Sequence, residues 1–210
     1  TQTGGWFRDE LTSLDDVKGV RFRTPGLGGR VWEKLGATVT NMAAGEIFQA
    51  LQSGTLDAAE FVGPYNDLAL GFHQVAKNYY MPSFVESGLA TELVVDKKKY
   101  QELPEDLQAI IRDVSQAEYD QVAADFYAND PRALKTLVEE HGVTVRNFPD
   151  DIMEAGAKAS VEVVEELRSS DDPLVKKTAD SFVEALNLVR TRTENIDSPY
   201  INARQSFLKY

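Results

Sequence analysis

The sequence predicts an α/β fold built around parallel strands, and two observations carry that expectation. Short apolar runs alternate with helix-spaced runs across the first 62 residues. Turn-forming Gly and Pro fall between those runs, at 19, 25–29, 36, 54 and 63–64. A strand–helix–strand rhythm of this kind is the pattern of parallel sheets joined by helical crossovers. The second half is different, with long helical spacings and few strand signals.

Taken in order, Ser13-Leu14-Asp15-Asp16 reads as a helix start, with Ser13 as N-cap and Asp16 three positions on. Gly19 ends that short helix. Residues 20–24 alternate apolar and basic side chains, the period of a strand. Pro25-Gly26-Leu27-Gly28-Gly29 is a turn that opens a helix to about residue 35, closed by Gly36. Residues 37–40 form a second strand. Residues 44–53 form a helix with Ile47 and Leu51 on one face and Gly54 beyond its end. A third strand, 56–62, is broken by Gly63-Pro64. Further on, residues 91–96 read as a strand and Pro104 as a helix start. Leu107, Ile110, Ile111, Val114 and Ala117 keep helical spacing, in a pattern that runs to about residue 141 with a break or kink at Pro131. A short strand at 143–145 and a helix at 151–167 follow. A polar turn at 169–173 precedes a last helical stretch that Pro199 interrupts.

Composition excludes several classes of function. The 210 residues are enough for one large domain or two small lobes. With 42% hydrophobic and 27% charged residues, the chain is an ordinary globular one. The net charge of -12 argues against nucleic acid as a partner, and an anionic ligand needs a local cation or a metal. With no cysteine there is no disulfide scaffold and no thiolate site. No apolar run approaches a membrane span. No basic-then-apolar stretch marks a signal peptide. The opening Thr1-Gln2-Thr3-Gly4-Gly5-Trp6-Phe7 reads as the middle of a domain, so an N-terminal truncation is expected.

Few residues point to chemistry. The glycine turn at 26–29 before a helix suits an anion at the helix start, but it lacks the signature of a P-loop or a dinucleotide site, and a plain turn stays open. Arg21 and Arg23 share a strand face. Arg grips carboxylates through two parallel bonds, although a solvated face explains two arginines equally well. Glu60 ends a strand expected to be parallel, where α/β proteins place their ligand crevice. The polar and aromatic run Gly63-Pro64-Tyr65-Asn66-Asp67 follows at once. Hard oxygen donors there suit Na⁺, Ca²⁺ or Mg²⁺. His73 and His141 stand alone in the sequence and receive no role. Tyr79 and Tyr80 fit either a cleft or a core.

Five stretches, in this order, resemble the substrate-binding subunits of tripartite ATP-independent periplasmic (TRAP) transporters, in particular the branch that takes 2-oxoacids and lactate. They are Gln2 to Phe7; Lys18-Gly19-Val20-Arg21-Phe22-Arg23-Thr24-Pro25-Gly26-Leu27-Gly28-Gly29; Gly45-Glu46-Ile47-Phe48-Gln49-Ala50-Leu51-Gln52-Ser53-Gly54; Asp57-Ala58-Ala59-Glu60-Phe61-Val62-Gly63-Pro64-Tyr65-Asn66-Asp67; and Leu103-Pro104-Glu105-Asp106-Leu107-Gln108. The resemblance implies a periplasmic-binding-protein-like two-lobed fold with parallel or mixed sheets and a long late helix, its N-terminal part missing. Residues 1–61 would belong to the second lobe, 62–100 to a crossover contributing to the first lobe, 101–180 to the long helix and the return, and 181–210 to a C-terminal helical segment.

By the same resemblance, Arg23 clamps the ligand carboxylate. Gln2, Glu60, the carbonyl of Phe61 and Glu86 surround a cation, Na⁺ or Ca²⁺, and Tyr65 joins the ligand wall. Phe61 stands where the family has Trp, and Phe84-Val85 where it often has Trp-His before the Glu. The implied function is capture of a pyruvate- or lactate-like acid in the periplasm for membrane permease subunits, without catalysis. A homodimer through Phe182, Leu186 and Val189 is a further implication. Two alternatives are a metal-dependent enzyme acting on a 2-oxoacid, for which no general base can be named, and an interaction module built on the late helices.

Overall fold

The structure, a computed structural model, describes residues 2–86, 88 and 92–208. They fall into two compact units, Thr1–Ser160 and Val161–Tyr210.

The first unit is built on a mixed sheet with six strands among the described residues. These are β1 (Gly5–Phe7), β2 (Arg21–Arg23), β3 (Thr38–Thr40), β4 (Ala58–Ala59), β5 (Asn78–Tyr80) and β6 (Thr144–Arg146), in the order β3-β2-β4-β1-β5-β6. The expected parallel core is present: β2 pairs in parallel with β3 and with β4. The helices between them are α1 (Gly26–Lys34) and α2 (Ala44–Ser53), close to their expected bounds. Gly54 takes the left-handed conformation that ends α2. Ser13 precedes a 3₁₀ turn, Leu14–Val17, where Asp16 accepts from the Ser13 N–H at 3.1 Å.

The sequence reading missed β1, β5 and the helix α3 (Pro64–Leu70). Strand β1 runs antiparallel to both β4 and β5, and β5 pairs in parallel with β6. Each missed strand has only three residues, too few to show a period.

Alternation along these strands divides the core in two. On one face Trp6 and Tyr79 stack at 3.9 Å and join Ile47, Leu51, Phe72, Leu137 and Val143. On the other face Phe7 lies 5.2 Å from Phe22 and 5.1 Å from Tyr80, with Trp32 and Phe148 beside them. Tyr79 and Tyr80 are thus core residues, and neither is exposed.

Further corrections concern the later elements. Thr91 lies outside the described residues, and residues 92–96 form no strand. A short helix, α4 (Lys97–Glu102), comes before α5 (Glu105–Glu139). Helix α5 runs unbroken through Pro131. Pro131 removes the donor for the carbonyl of Tyr127, but both residues are exposed and water reaches that turn. Helix α6 spans Asp150–Arg168. In the second unit α7 (Pro173–Arg192) starts at Asp172, whose side chain accepts from the Leu174 N–H at 2.8 Å. A π-helical turn, Thr193–Asp197, leads into α8 (Ser198–Phe207), and Pro199 sits in its first turn without interrupting it. Arg168 bonds to Glu165 and Asp180, each at 2.8 Å.

Candidate functional site

The antiparallel insertion of β1 creates the site. Because β1 runs against its neighbours, it begins at the edge where β2, β4 and β5 end. The residue ending β2 (Arg23), the one following β4 (Glu60) and the one preceding β1 (Gln2) therefore meet at that edge. The segment after β5 approaches the start of α1 there, since a methyl group added at Gly28 would stand 3.2 Å from Val85 Cγ2. Gly5 keeps β1 close to β4. Its φ is +110°, and a Cβ there would lie 2.8 Å from the Ala59 carbonyl oxygen.

Three polar side chains are buried together. Arg23, Glu60 and Gln2 retain 7%, 4% and 8% of their exposure. Arg23 donates from Nη1 to the Glu60 carbonyl at 2.6 Å and from Nε to the Met42 carbonyl at 3.2 Å. Its guanidinium lies 5.7 Å from the centre of the Phe61 ring. Burial lowers the Arg23 pKa and the Glu60 charge opposes that shift. Among the described residues the guanidinium is held by main-chain carbonyls and not by a carboxylate, which leaves its charge to act on a ligand. Arg21, two residues earlier, instead pairs with Asp57 through Nε at 2.7 Å and through Nη2.

Glu60 shows the strain of its position. Burial pushes its carboxyl up to about 7, Glu86 and Asp67 push the same way, and Arg23 and Gln2 oppose them. The Gln2 amide nitrogen lies 2.5 Å from Glu60 Oε1 and 3.2 Å from the Phe61 carbonyl. An electropositive group thus already sits between two oxygens. Rotating the amide by half a turn exchanges its nitrogen for oxygen and sets three hard oxygens side by side. That donor set fits Na⁺ or Ca²⁺, which prefer neutral and carboxylate oxygens. Among the described residues no three acidic or histidine side chains cluster as a metal site, so the main-chain and amide oxygens are needed.

The structure places the remaining candidates less centrally. Glu86 is half-buried, its N–H bonds to Ser83 Oγ at 3.1 Å, and its charge reaches Glu60. Tyr65 is 42% exposed, with its ring edge-on to Phe126 of α5 at 5.9 Å. His73 and His141 are not alone, because their rings stack at 4.1 Å. A groove of about 650 Å³ lined by Leu93, Val95, Tyr100, Ile111 and Tyr119 lies elsewhere and brings together no buried ionisable group.

The sequence reading also gave no role to Asp67 in α3. It is fully buried and accepts from Trp6 Nε1 at 2.9 Å and from the Tyr79 hydroxyl at 2.8 Å. Burial pushes its carboxyl up to about 6 despite those two bonds. The folded state therefore holds this proton more tightly than the unfolded chain. The stability this group confers is intact below its unfolded pKa near 4 and is lost as pH rises through about 6. Asp67→Asn should remove that step. Urea melts between pH 4 and 7 should show the wild type falling against the variant by about 1–2 kcal/mol, and parallel profiles would mean that Asp67 titrates normally.

Comparison with known proteins finds similarity over most of the chain. The profile of bacterial extracellular solute-binding protein, family 7, matches residues 1–171. A monocarboxylate 2-oxoacid-binding periplasmic protein of Nostoc sp. is 36% identical over 170 residues, covering 81% of this chain and 46% of that protein. A TRAP periplasmic solute binding protein from Colwellia psychrerythraea, solved with bound calcium and pyruvate, is 37% identical with a TM-score of 0.88. One from Pseudoalteromonas atlantica, solved with bound sodium and pyruvate, is 36% identical with a TM-score of 0.87. Each match covers 96% of this chain and 61% of the solved one. The chain thus spans 46% to 61% of the length of these relatives.

Proposed function

The chain belongs to bacterial extracellular solute-binding protein family 7, and we propose that it supplies the ligand grip of a receptor for 2-oxo- or 2-hydroxymonocarboxylates. The observation that carries this reading is Arg23: a buried guanidinium bonded, among the described residues, only to carbonyls at the sheet edge that also holds Glu60 and Gln2. Arg23 takes the acid's carboxylate. Gln2, Glu60 and the Phe61 carbonyl hold Na⁺ or Ca²⁺, with Glu86 adding charge nearby. The cation, when bound, neutralises Glu60 and gives the acid a second positive partner. The solved relatives with pyruvate and calcium or sodium support this assignment. Tyr65 closes the ligand wall at its outer end.

The family is one of solute binders, so the metal-dependent 2-oxoacid enzyme is set aside. Work in the periplasm and delivery to permease subunits follow from the same proposal, as does the division into segments 1–61, 62–100, 101–180 and 181–210. The exposed side chains of Phe182, Leu186 and Val189 on α7 are our candidates for a homodimer contact.

The test is calorimetry on the protein carrying this chain at the full length of its relatives, with Na⁺ or Ca²⁺ present. Pyruvate, 2-oxobutyrate and lactate should bind with 1:1 stoichiometry. Absence of heat with every 2-oxo and 2-hydroxy acid, beside binding of a neutral solute, would overturn the assignment.

A further inference from the structure

One buried carboxylate stands behind the site without touching it. Asp67 of α3 gathers, on one side chain, groups from β1, from β5 and from the segment after β4, all of which border the site. From β1 comes the Trp6 indole N–H, at 2.9 Å, and from β5 the Tyr79 hydroxyl, at 2.8 Å. The Val62 N–H, two residues beyond Glu60, makes a long 3.4 Å contact to the other carboxylate oxygen. Thr3, the neighbour of Gln2, closes the frame twice. Its hydroxyl bonds to the Tyr79 hydroxyl at 3.1 Å, and its N–H bonds to the Val62 carbonyl at 3.0 Å. Gln2, Glu60 and Phe61 are thus held in one hydrogen-bonded frame with Asp67 at its centre. The charge of Asp67 also reaches Glu60.

We infer that Asp67 is a positioning residue that sets the cation affinity of this site from behind, fixing its frame and adding a buried negative charge to its field. The inference rests on the reading of Arg23, Gln2 and Glu60 as the acid-and-cation site. A cation at Glu60 is attracted by Asp67 through protein interior, where screening by salt is weak. Coulomb energy scales with the charge of the ion. The field of Asp67 therefore favours a divalent ion over a monovalent one, whereas loosened geometry has no such fixed dependence.

The experiment titrates Na⁺ and Ca²⁺ separately into chelated full-length protein at pH 8 with saturating pyruvate. Wild type is compared with Asp67→Asn and with Tyr79→Phe, which keeps the charge and cuts two bonds of the frame, to Asp67 and to Thr3. Asp67→Asn should weaken Na⁺ about fourfold and Ca²⁺ about sixteenfold, the square of the first factor, so the Ca²⁺/Na⁺ affinity ratio drops about fourfold. Tyr79→Phe, which loosens the frame and keeps the charge, should weaken both ions without that squared relation between them. Asp67→Ser, a second uncharged variant, should repeat the fall in ratio and stands in if the amide variant does not fold. An unchanged ratio in the uncharged variants, or full wild-type affinity in Tyr79→Phe, overturns the inference. If wild type itself binds neither cation nor acid, the site assignment falls first and this inference falls with it.

Discussion

Arg23→Ala lowers the affinity for pyruvate by about ten- to a hundredfold, and this is the expected result with the simplest cause. Two of the guanidinium donors are committed to the Glu60 and Met42 carbonyls, which fix the plane of the group. The Nη2 edge has no acceptor among the described residues and is the part left for a carboxylate. Hydrogen bonds to a charged group contribute about 1.5–3 kcal/mol, and burial of Arg23 favours the upper end. Alanine also leaves the Glu60 carbonyl without its donor. Arg23→Lys separates charge from geometry, because an ammonium carries the charge without the planar fork. Lysine should recover only part of the loss. Calorimetry on the three proteins decides the matter, and equal pyruvate affinity in all of them would remove Arg23 from the site.

Withdrawal of the cation should have an effect at least as large. Glu60 is buried and lies beside the place where a second carboxylate has to sit, in a chain of net charge -12. At pH 8, where Glu60 is ionised, the two negative groups repel without a cation in a medium that screens them poorly. With it, both are attracted to a common centre. Pyruvate titrated into extensively chelated, Na⁺-free protein should bind about a hundredfold more weakly than in Ca²⁺ buffer. Coupling between two ligands is reciprocal, so pyruvate must raise cation affinity by the same factor. Glu60→Gln keeps an oxygen donor but removes the charge, and should weaken cation and acid together. Equal pyruvate affinity with and without cation would leave Glu60 outside any ion site.

The parts of this molecule that were legible in its sequence are those whose signals are local. Gly36 and Gly54 closed α1 and α2 where they were expected, and the alternation at 20–24 marked β2. The opposite holds for β1 and β5. Gly5–Phe7 and Asn78–Tyr80 are strands only because they pair with each other and with partners distant in sequence. The run Leu93-Val94-Val95 had the composition of a strand, yet residues 92–96 have no pairing partner among the described residues. Pro131 argued for a break in α5, and exposure of that turn to water let the helix continue.

The site divides in the same way. Glu60 stood out as a strand end and Arg23 as one of two arginines on a strand face, but Gln2 and the grouping of the three came from a family resemblance, since no spacing in the chain says that residues 2, 23 and 60 meet. The antiparallel β1 brings them together, and that strand carried no period to read. Asp67 received no role because the run Gly63–Asp67 reads only as polar and aromatic residues after a strand break, with no sign of the helix that buries it. An acidic residue among Pro, Tyr and Leu, with a Trp and a Tyr free to donate elsewhere in the chain, was the available hint.

The antiparallel placement of β1 ties recognition to the correctness of the fold. Side chains alternate sides along a strand, so a slip of β1 by one residue would send Trp6 into the pocket built for Phe7 and Phe7 into that built for Trp6. The same slip would swing Gln2 away from Glu60, its partner 58 positions later in the chain. Misregistered molecules would then lose ligand binding along with their packing. Adding acid and cation during refolding should thus raise the yield of correctly paired protein, since only that state gains the binding energy. The ligand would act as a proofreader of the sheet as well as its cargo.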